Sequence, residues 1–361
     1  MPSRPSVLVT AIGSYGEQIL KALRQPGATP CRIIGGDTDP YSPHFSAVDE
    51  PVVLPQASDR DYTDAVIAIC KKYDIAAVFP GCEPELLRLS RDREEFSRAG
   101  VLLMINPAAV IELCGDKMQT ALRLRELGFE PPRSAIIRSA GDMAGLDYYP
   151  MVVKPRLGGG GSKGCYIAQS RHELDLLLGY ADPDHGLFVQ EYVGTPDQEY
   201  TVGVLIDLDG NLVNSIVLRR NLAASLSVLL SVANRSGRRA LGDRLVISSG
   251  VSQGEIGGFP EVAGPCEKIA VAIGTRAPIN IQCRLVDGHV KVFEINPRFS
   301  GTTSIRAMMG YNEPDVLLRR HVLHQDTPAR FEYRYGRIAR SLRELIVPQS
   351  PAPGWRQLLD G

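Results

Sequence analysis

The sequence predicts an α/β protein: a Rossmann-like parallel-sheet domain followed by an α+β portion in two subdomains. Three observations predict it. Short apolar strands alternate with amphipathic helices over residues 1–107, the pattern of a parallel sheet covered by helices. Further on, Asp209-Gly210 and Asp287-Gly288 each separate two strand-like runs, a strong hairpin signal. Between these regions, V-V-K-P at 152–155 leads into L-G-G-G-G-S-K-G at 157–164. Glycines let backbone N–H groups approach a polyanion, and Lys154 and Lys163 add charge, so this stretch suits nucleotide phosphates. It departs from G-x-x-x-x-G-K-[ST], because Gly164 follows Lys163, and taken alone it reads equally well as a plain flexible loop.

Composition narrows the functional classes. A chain of 361 residues has room for two or three domains, and 44% apolar with 22% charged residues is ordinary for a soluble globular protein. The net charge of −1 gives no electrostatic reason to expect a nucleic acid or a membrane as partner. No apolar run approaches the ~18–20 residues of a membrane helix, and Met1 to Ser6 does not read as a signal peptide. Seven scattered cysteines, without C-x-x-C, argue against zinc and a disulfide framework and for a cytoplasmic location. His321 and His324 read as a solvated or locally packed pair.

Taken in order, Val7 to Thr10 is a strand, A-I-G-S-Y-G a turn, and Ile19, Leu20 and Leu23 mark a helix. The strand Arg32 to Gly36 ends at Asp37, which imitates a dinucleotide-binding unit. With only Gly13 and Gly16 in the turn, shared architecture is the better reading than nicotinamide or flavin binding. Strands at Val52 to Leu54, Ala76 to Pro80 and Val101 to Ile105 alternate with helices at Tyr62 to Tyr73 and from Leu86. Parallel sheets hold ligands at the carboxyl ends of their strands, where Ser14, Asp37, Glu83 and Glu85 fall; helix capping and turn formation is the competing reading.

Asn106-Pro107 closes this domain. Residues 108–187 form a small subdomain: helices Ala108 to Leu113 and Lys117 to Leu127, strands Met151 to Lys154 and Cys165 to Ala168, and a Ser170-capped helix. Residues 188–325 hold the strand Phe188 to Tyr192, the two hairpins, and helices at Glu261 to Ile273, Ser304 to Met309 and Pro314 to Leu323. Residues 326–361 are an extension of mixed strand and turn character. Leu222 to Ala233 reads as an apolar helix, either core or the face of a homodimer, and 221–258 is the least legible region.

Gln282 lies on one strand of the last hairpin, with Glu294, Asn296 and Arg298 on and after the other. Glu294 and Asn296, two apart in extended chain, share a face. Their oxygens suit a hard cation such as Mg²⁺, and a solvated sheet face is weakened as an alternative because Phe293 and Ile295 alternate with them.

Together V-V-K-P and its loop, F-V-Q-E-Y-V at 188–193, N-I-Q at 280–282 and E-I-N-P-R-F-S-G at 294–301 resemble the ATP-grasp superfamily, in its carbamoyl-phosphate-synthase-like branch of carboxylate–amine ligases. The resemblance spans about 300 residues, the amino-terminal domain included, and implies ATP as cofactor with two Mg²⁺ ions, for which Mn²⁺ substitutes. It implies that Lys117 and Lys154 hold phosphates beneath a flap of Gly158, Gly159, Gly160, Gly161, Ser162, Lys163 and Gly164. Glu191, Tyr192 and Val193 are the implied adenine hinge, Glu199 the ribose acid, and Gln282, Glu294 and Asn296 the metal ligands. Arg298, Lys154 and Lys163 are the implied catalytic cations. For substrate, Glu83 or Glu85 would meet an ammonium and Arg220, Arg298 or Arg306 a carboxylate, with Ser300 and Gly301 beside them; a surface salt bridge is the competing reading for Arg220 and Arg306.

A single grasp module without a glutaminase segment disfavours carbamoyl phosphate synthesis, and the absence of E-H-P-V-T-E disfavours biotin carboxylation. The expectation is a cytoplasmic ligase that joins a small-molecule carboxylate to an amine through an acyl phosphate, with an amino acid as substrate and no covalent enzyme nucleophile. A nucleotide-binding regulatory protein without catalysis, and an oxidoreductase using the amino-terminal fold, are the readings it competes with.

Overall fold

In the computed structural model, which describes residues 4–158, 164–180 and 184–360, the alternating pattern folds as a parallel sheet. Strands β1 (Ser6–Val9), β2 (Arg32–Asp37), β3 (Glu50–Val53), β4 (Ile75–Phe79) and β5 (Leu102–Leu103) lie in the order β3-β2-β1-β4-β5. Strand order therefore reverses between β1 and β4, and the loops that follow them open a crevice. Val7 and Val9 face α1 (Gly16–Leu23), while Leu8 and Ile34 face α2 (Tyr62–Lys72). Burial on both faces explains why these strands are apolar throughout rather than alternating.

The crevice is shaped by glycines. Tyr15 N–H donates to the Gly81 carbonyl at 2.9 Å. A Cβ on Gly81 would lie 2.2 Å from the Thr10 carbonyl oxygen and 2.6 Å from the Gly16 nitrogen, so only glycine lets the two loops meet. Asp37 accepts the Gly13 N–H at 2.6 Å and the Asp39 N–H at 3.2 Å. Its carboxylate thus builds the turn, the capping role, instead of waiting for a ribose.

Helices α3 (Glu83–Arg91) and α4 (Arg93–Arg98) complete this layer, and α5 (Ala108–Gly115) and α6 (Lys117–Glu126) follow. Asp116 starts α6 by accepting the N–H groups of Met118 and Gln119. Strands β6 (Ser134–Ile137), β7 (Met151–Pro155), β8 (Tyr166–Ala168) and β9 (Leu187–Glu191) make an antiparallel sheet in the order β6-β9-β7-β8, with α7 (Arg171–Leu178) capped by Ser170.

A second antiparallel sheet contains β10 (Glu199–Ile206), β11 (Leu212–Arg220), β14 (Gly254–Gly257), β15 (Ile279–Val286), β16 (His289–Asn296) and β17 (Gly336–Ile338), in the order β16-β15-β10-β11-β14-β17. A separate hairpin pairs β12 (Val228–Ala233) with β13 (Arg244–Ser248). The helix expected at Leu222 to Ala233 is therefore a 3-10 turn and a strand: Val228, Leu230 and Val232 find partners in Ser248, Ile247 and Leu245. Helix α8 (Pro260–Ala272) packs Val262, Cys266 and Ile269 on the larger sheet.

Helices α9 (Thr303–Met308) and α10 (Glu313–Leu317) join this sheet to the first domain; a π turn then extends the latter through Val322. Ser304 donates to Gln18, Asn312 to the Ala22 carbonyl, and Thr29 N–H to Asp315. The tail crosses back, and α11 (Trp355–Asp360) places Trp355 and Leu358 against the α2 core. Among the described residues no helix is long and apolar enough to cross a membrane.

Gly81→Ala forces backbone apart, so it is expected to destabilise the protein by about 1–3 kcal/mol, the usual range for overpacking. A chemical-denaturation midpoint equal to wild type would show that the Thr10–Gly16 loop gives way freely.

Candidate active site

The site forms where β7, the β15–β16 hairpin, α6 and the first-domain crevice converge. Gln282 and Glu294 are direct partners in the ladder, and Gln282 Nε2 donates to Glu294 Oε2 at 2.8 Å. Asn280 faces Asn296 on the same ladder. Between Val292, which pairs with Cys283, and Glu294 the ladder skips a residue, so Phe293 is bulged. The bulge breaks the strict alternation expected here and leaves Phe293 lining two of the cavities that Glu294 lines.

Lys154 is buried beneath them. Its Nζ donates to Gln190 Oε1 and to the Phe293 carbonyl, both at 3.1 Å, and stands over the Phe188 and Phe293 rings. Burial pushes its ammonium down to about 8; Glu294 opposes the shift and Lys117 adds to it. Lys117 donates to the Gly158 carbonyl at 2.6 Å, and Arg156 pairs with Asp116 at 2.6 Å, fixing the start of the glycine loop beside α6. Gly159, Gly160, Gly161, Ser162 and Lys163 lie outside the described residues.

One cavity runs from Lys117 and Lys154 past Glu191, Tyr192 and Val193 to Glu199, Val246 and Ile247. The hinge carboxylate is engaged: Glu191 pairs with Arg133 at 3.0 Å and Arg238 at 3.2 Å. Tyr192 Oη accepts from Val246 N–H at 2.8 Å, so the β12–β13 hairpin, unread in the sequence, forms a wall of this cavity. Glu199 is buried, with Arg284 on Oε2 at 3.0 Å and Arg220 3.4 Å from Oε1. It anchors two guanidiniums as it lines the cavity, a demand that the sequence did not reveal.

A second cavity holds Arg220, Arg298, Ser300, Gly301, Asn296 and Tyr15. Arg298 donates to Glu83 at 2.8 Å and Asn296 Oδ1 at 3.1 Å, and its guanidinium lies 3.9 Å from the centre of the Tyr15 ring. Tyr15 is the residue that sequence reasoning missed; its only signal was its place in the A-I-G-S-Y-G turn at a strand's carboxyl end.

Two expected substrate residues are not brought here. Arg306 is fully buried, bonding Glu313 and Asn280 in the space that Gly203 leaves open. It supports the ladder from below and is neither the substrate contact nor the surface salt bridge expected. Glu85 is also buried, accepting from Thr10 at 2.7 Å and Tyr62 at 2.8 Å, so it braces the first domain. Arg220 is buried as well, contrary to a surface ion pair, yet it does line the cavity.

The donors Gln282, Glu294 and Asn296 offer only oxygen on one short ladder, a set that fits a hard divalent cation with room for phosphate oxygens. Glu294 borders the hinge cavity, the arginine cavity and a third, mostly apolar one lined by Leu86, Ile111 and Leu124.

Residues 7–104 match the family model described as PylC-like, N-terminal domain, and residues 244–343 the one described as ATP-grasp in the biosynthetic pathway with Ter operon. An N5-carboxyaminoimidazole ribonucleotide synthetase in complex with ADP superposes with TM-score 0.66 at 13% identity, covering 93% of this chain and 81% of that one. An L-amino acid ligase from Bacillus licheniformis gives 0.62 at 16%, covering 89% and 74%. The biotin carboxylase domain of 2-oxoglutarate carboxylase from Hydrogenobacter thermophilus, with MgADP and bicarbonate, gives 0.60 at 16%, covering 91% and 71%. At such identities the likeness is one of fold.

On the phosphate-holding role that the resemblance implies for Lys154, a triphosphate would bind its charged form. Nucleotide affinity is therefore expected to hold below about pH 8 and to fall as pH rises through it, by up to about tenfold per unit. Calorimetric titration on both sides of that value checks this, and Lys154→Met should flatten the profile. Burial raises the Glu85 carboxyl above the ordinary range although Thr10 and Tyr62 oppose it. The native state then binds that proton more tightly than the unfolded chain, so stability falls as pH climbs from about 4.3 through the raised native value. In urea titrations across that window Glu85→Gln should show a flatter decline; an unchanged slope would exclude Glu85 as its source.

Proposed function

We propose, from the match of residues 244–343 to an ATP-grasp family model and from the shared fold, that the chain is an ATP-dependent carboxylate–amine ligase. The observation that carries this reading is the convergence of three cavities on Glu294, one running from Lys117 and Lys154 to Glu199 and one walled by two arginines. Gln282, Glu294 and Asn296 would hold magnesium, which when bound draws charge from the phosphate oxygens.

The adenine would sit against the Glu191–Val193 hinge, with Lys117 and Lys154 on the phosphates. A substrate carboxylate oxygen attacks the γ-phosphorus, the bond to ADP breaks, and an acyl phosphate forms. Arg298 stabilises the charge that builds on the transferring group, preorganised for that task by Glu83 and Tyr15. The amine nitrogen then attacks the acyl carbon, phosphate leaves, and the amine gives up a proton to yield an amide or peptide bond. Positioning and charge do the work, so no cysteine is required.

The resemblance to an L-amino acid ligase supports amino acids as substrates, as does an acid and an arginine paired at the cavity mouth. Because Glu83 and Arg298 form one ion pair, Glu83→Gln should raise the acceptor KM and also disturb turnover. ADP release that depends on both a carboxylate and an amine, with the product identified by mass spectrometry across a panel of amino-acid pairs, tests the function. Arg298→Met should lower kcat by about 10²–10³ while retaining ATP binding. Nucleotide hydrolysis indifferent to every added amine would overturn the ligase reading.

A further inference from the structure

Arg220, Glu199 and Arg284 form a buried triad with one positive charge in excess. Their side chains are 1%, 2% and 6% exposed, and the two guanidiniums share a single carboxylate. The other acid acting on Arg220 is Glu294, which is the carboxylate assigned to the cation. Arg298 has its own counter-ion in Glu83. Once Glu294 serves a metal, Arg220 is left to share the single Glu199 carboxylate with Arg284, and the excess positive charge is one that low dielectric penalises heavily.

Hydrogen bonding points the same way. Arg220 is clamped by Ser248 Oγ at 3.0 Å and by the carbonyls of Ser249 at 2.8 Å and Val251 at 3.3 Å, yet its buried Nε has no partner among the described residues. The buried Nε of Arg298 has none either, and both residues line one cavity with the hydroxyl-bearing Ser249, Ser252, Ser300 and Thr302. A charged donor left unpaired inside a protein calls for an acceptor.

We propose that this cavity is a subsite for an oxyanion that is not phosphorylated: a free carboxylate of the substrate, held by Arg220. On the ligase reading, the substrate then carries that carboxylate in addition to its reacting group, as an α-amino acid or a dicarboxylate does. Metal binding at Glu294 and anion binding at Arg220 favour one another, because the first removes the acid that offsets the second.

Thermal unfolding of the full chain with magnesium and ADP, with succinate and inorganic phosphate as probes, tests the subsite. Succinate should raise the wild-type Tm, and Arg220→Met should lose that shift. Gly301→Leu provides an independent variant, since a Cβ there comes 3.3 Å from the Gly250 carbonyl oxygen and 3.9 Å from the Tyr15 ring; it should lose the shift by filling the cavity. Phosphate protection that survives Arg220→Met while succinate protection does not would place phosphate at the γ-phosphoryl position and the carboxylate at Arg220, in support. No succinate shift in wild type, or one that persists in both variants, overturns the proposal. Intact succinate protection without amine-dependent turnover would instead remove the ligase reading and leave the subsite standing.

Discussion

Register in the β15–β16 hairpin is the constraint on which the site depends. Asp287 and Gly288 take φ values of 50° and 76°, the pair of left-handed residues that a tight two-residue turn demands. That turn fixes which residues face each other six to eight positions away. A slip of one residue would send Glu294 into the α8 core and Ile295 into the cavity. The bulge at Phe293 adds a second condition, because it resets the phase so that Glu294 meets Gln282 and Asn296 meets Asn280. Arg306 holds Asn280 from below, and this is possible because Gly203 on β10 has no side chain to occupy that space. The metal-type donor set is thus the visible end of a network reaching into the sheet.

What was legible in the sequence follows from how local each signal is. The parallel sheet, both Asp-Gly hairpins, the Ser170 cap and the face shared by Glu294 and Asn296 depend on neighbours a few residues apart. The strand at Val228 to Ala233 depends on a partner at 244–248 and read as a helix, because six mostly apolar residues carry no period that excludes one. Burial was illegible for the same reason. Glu85, Arg306 and Arg220 look like candidate surface or ligand groups until Thr10, Tyr62, Glu313 and Glu199 are brought against them from distant parts of the chain. The bulge at Phe293 is a property of two strands together and leaves no mark in either.

The amino-terminal domain is more than an appended sheet. Arg298 follows β16 of the second antiparallel sheet, yet Glu83 and Tyr15, which fix its head group, come from the start of α3 and the loop after β1. A guanidinium held on one side by a carboxylate and on its face by an aromatic ring has little freedom left to lose when charge develops beside it, and that is what electrostatic preorganisation requires. The glycine contact between Gly81 and Gly16 sets the spacing of those two loops, so a backbone feature of the first domain controls the placement of a cation in the second. Hydrogen bonds from α9 and α10 to α1 hold the two parts in this relation. Loss of the domain interface would then act on Arg298 before it acted on the hinge cavity, whose walls come from β7, β9 and the two hairpins. The arginine cavity and the hinge cavity are in this way built on separate supports that meet at Glu294.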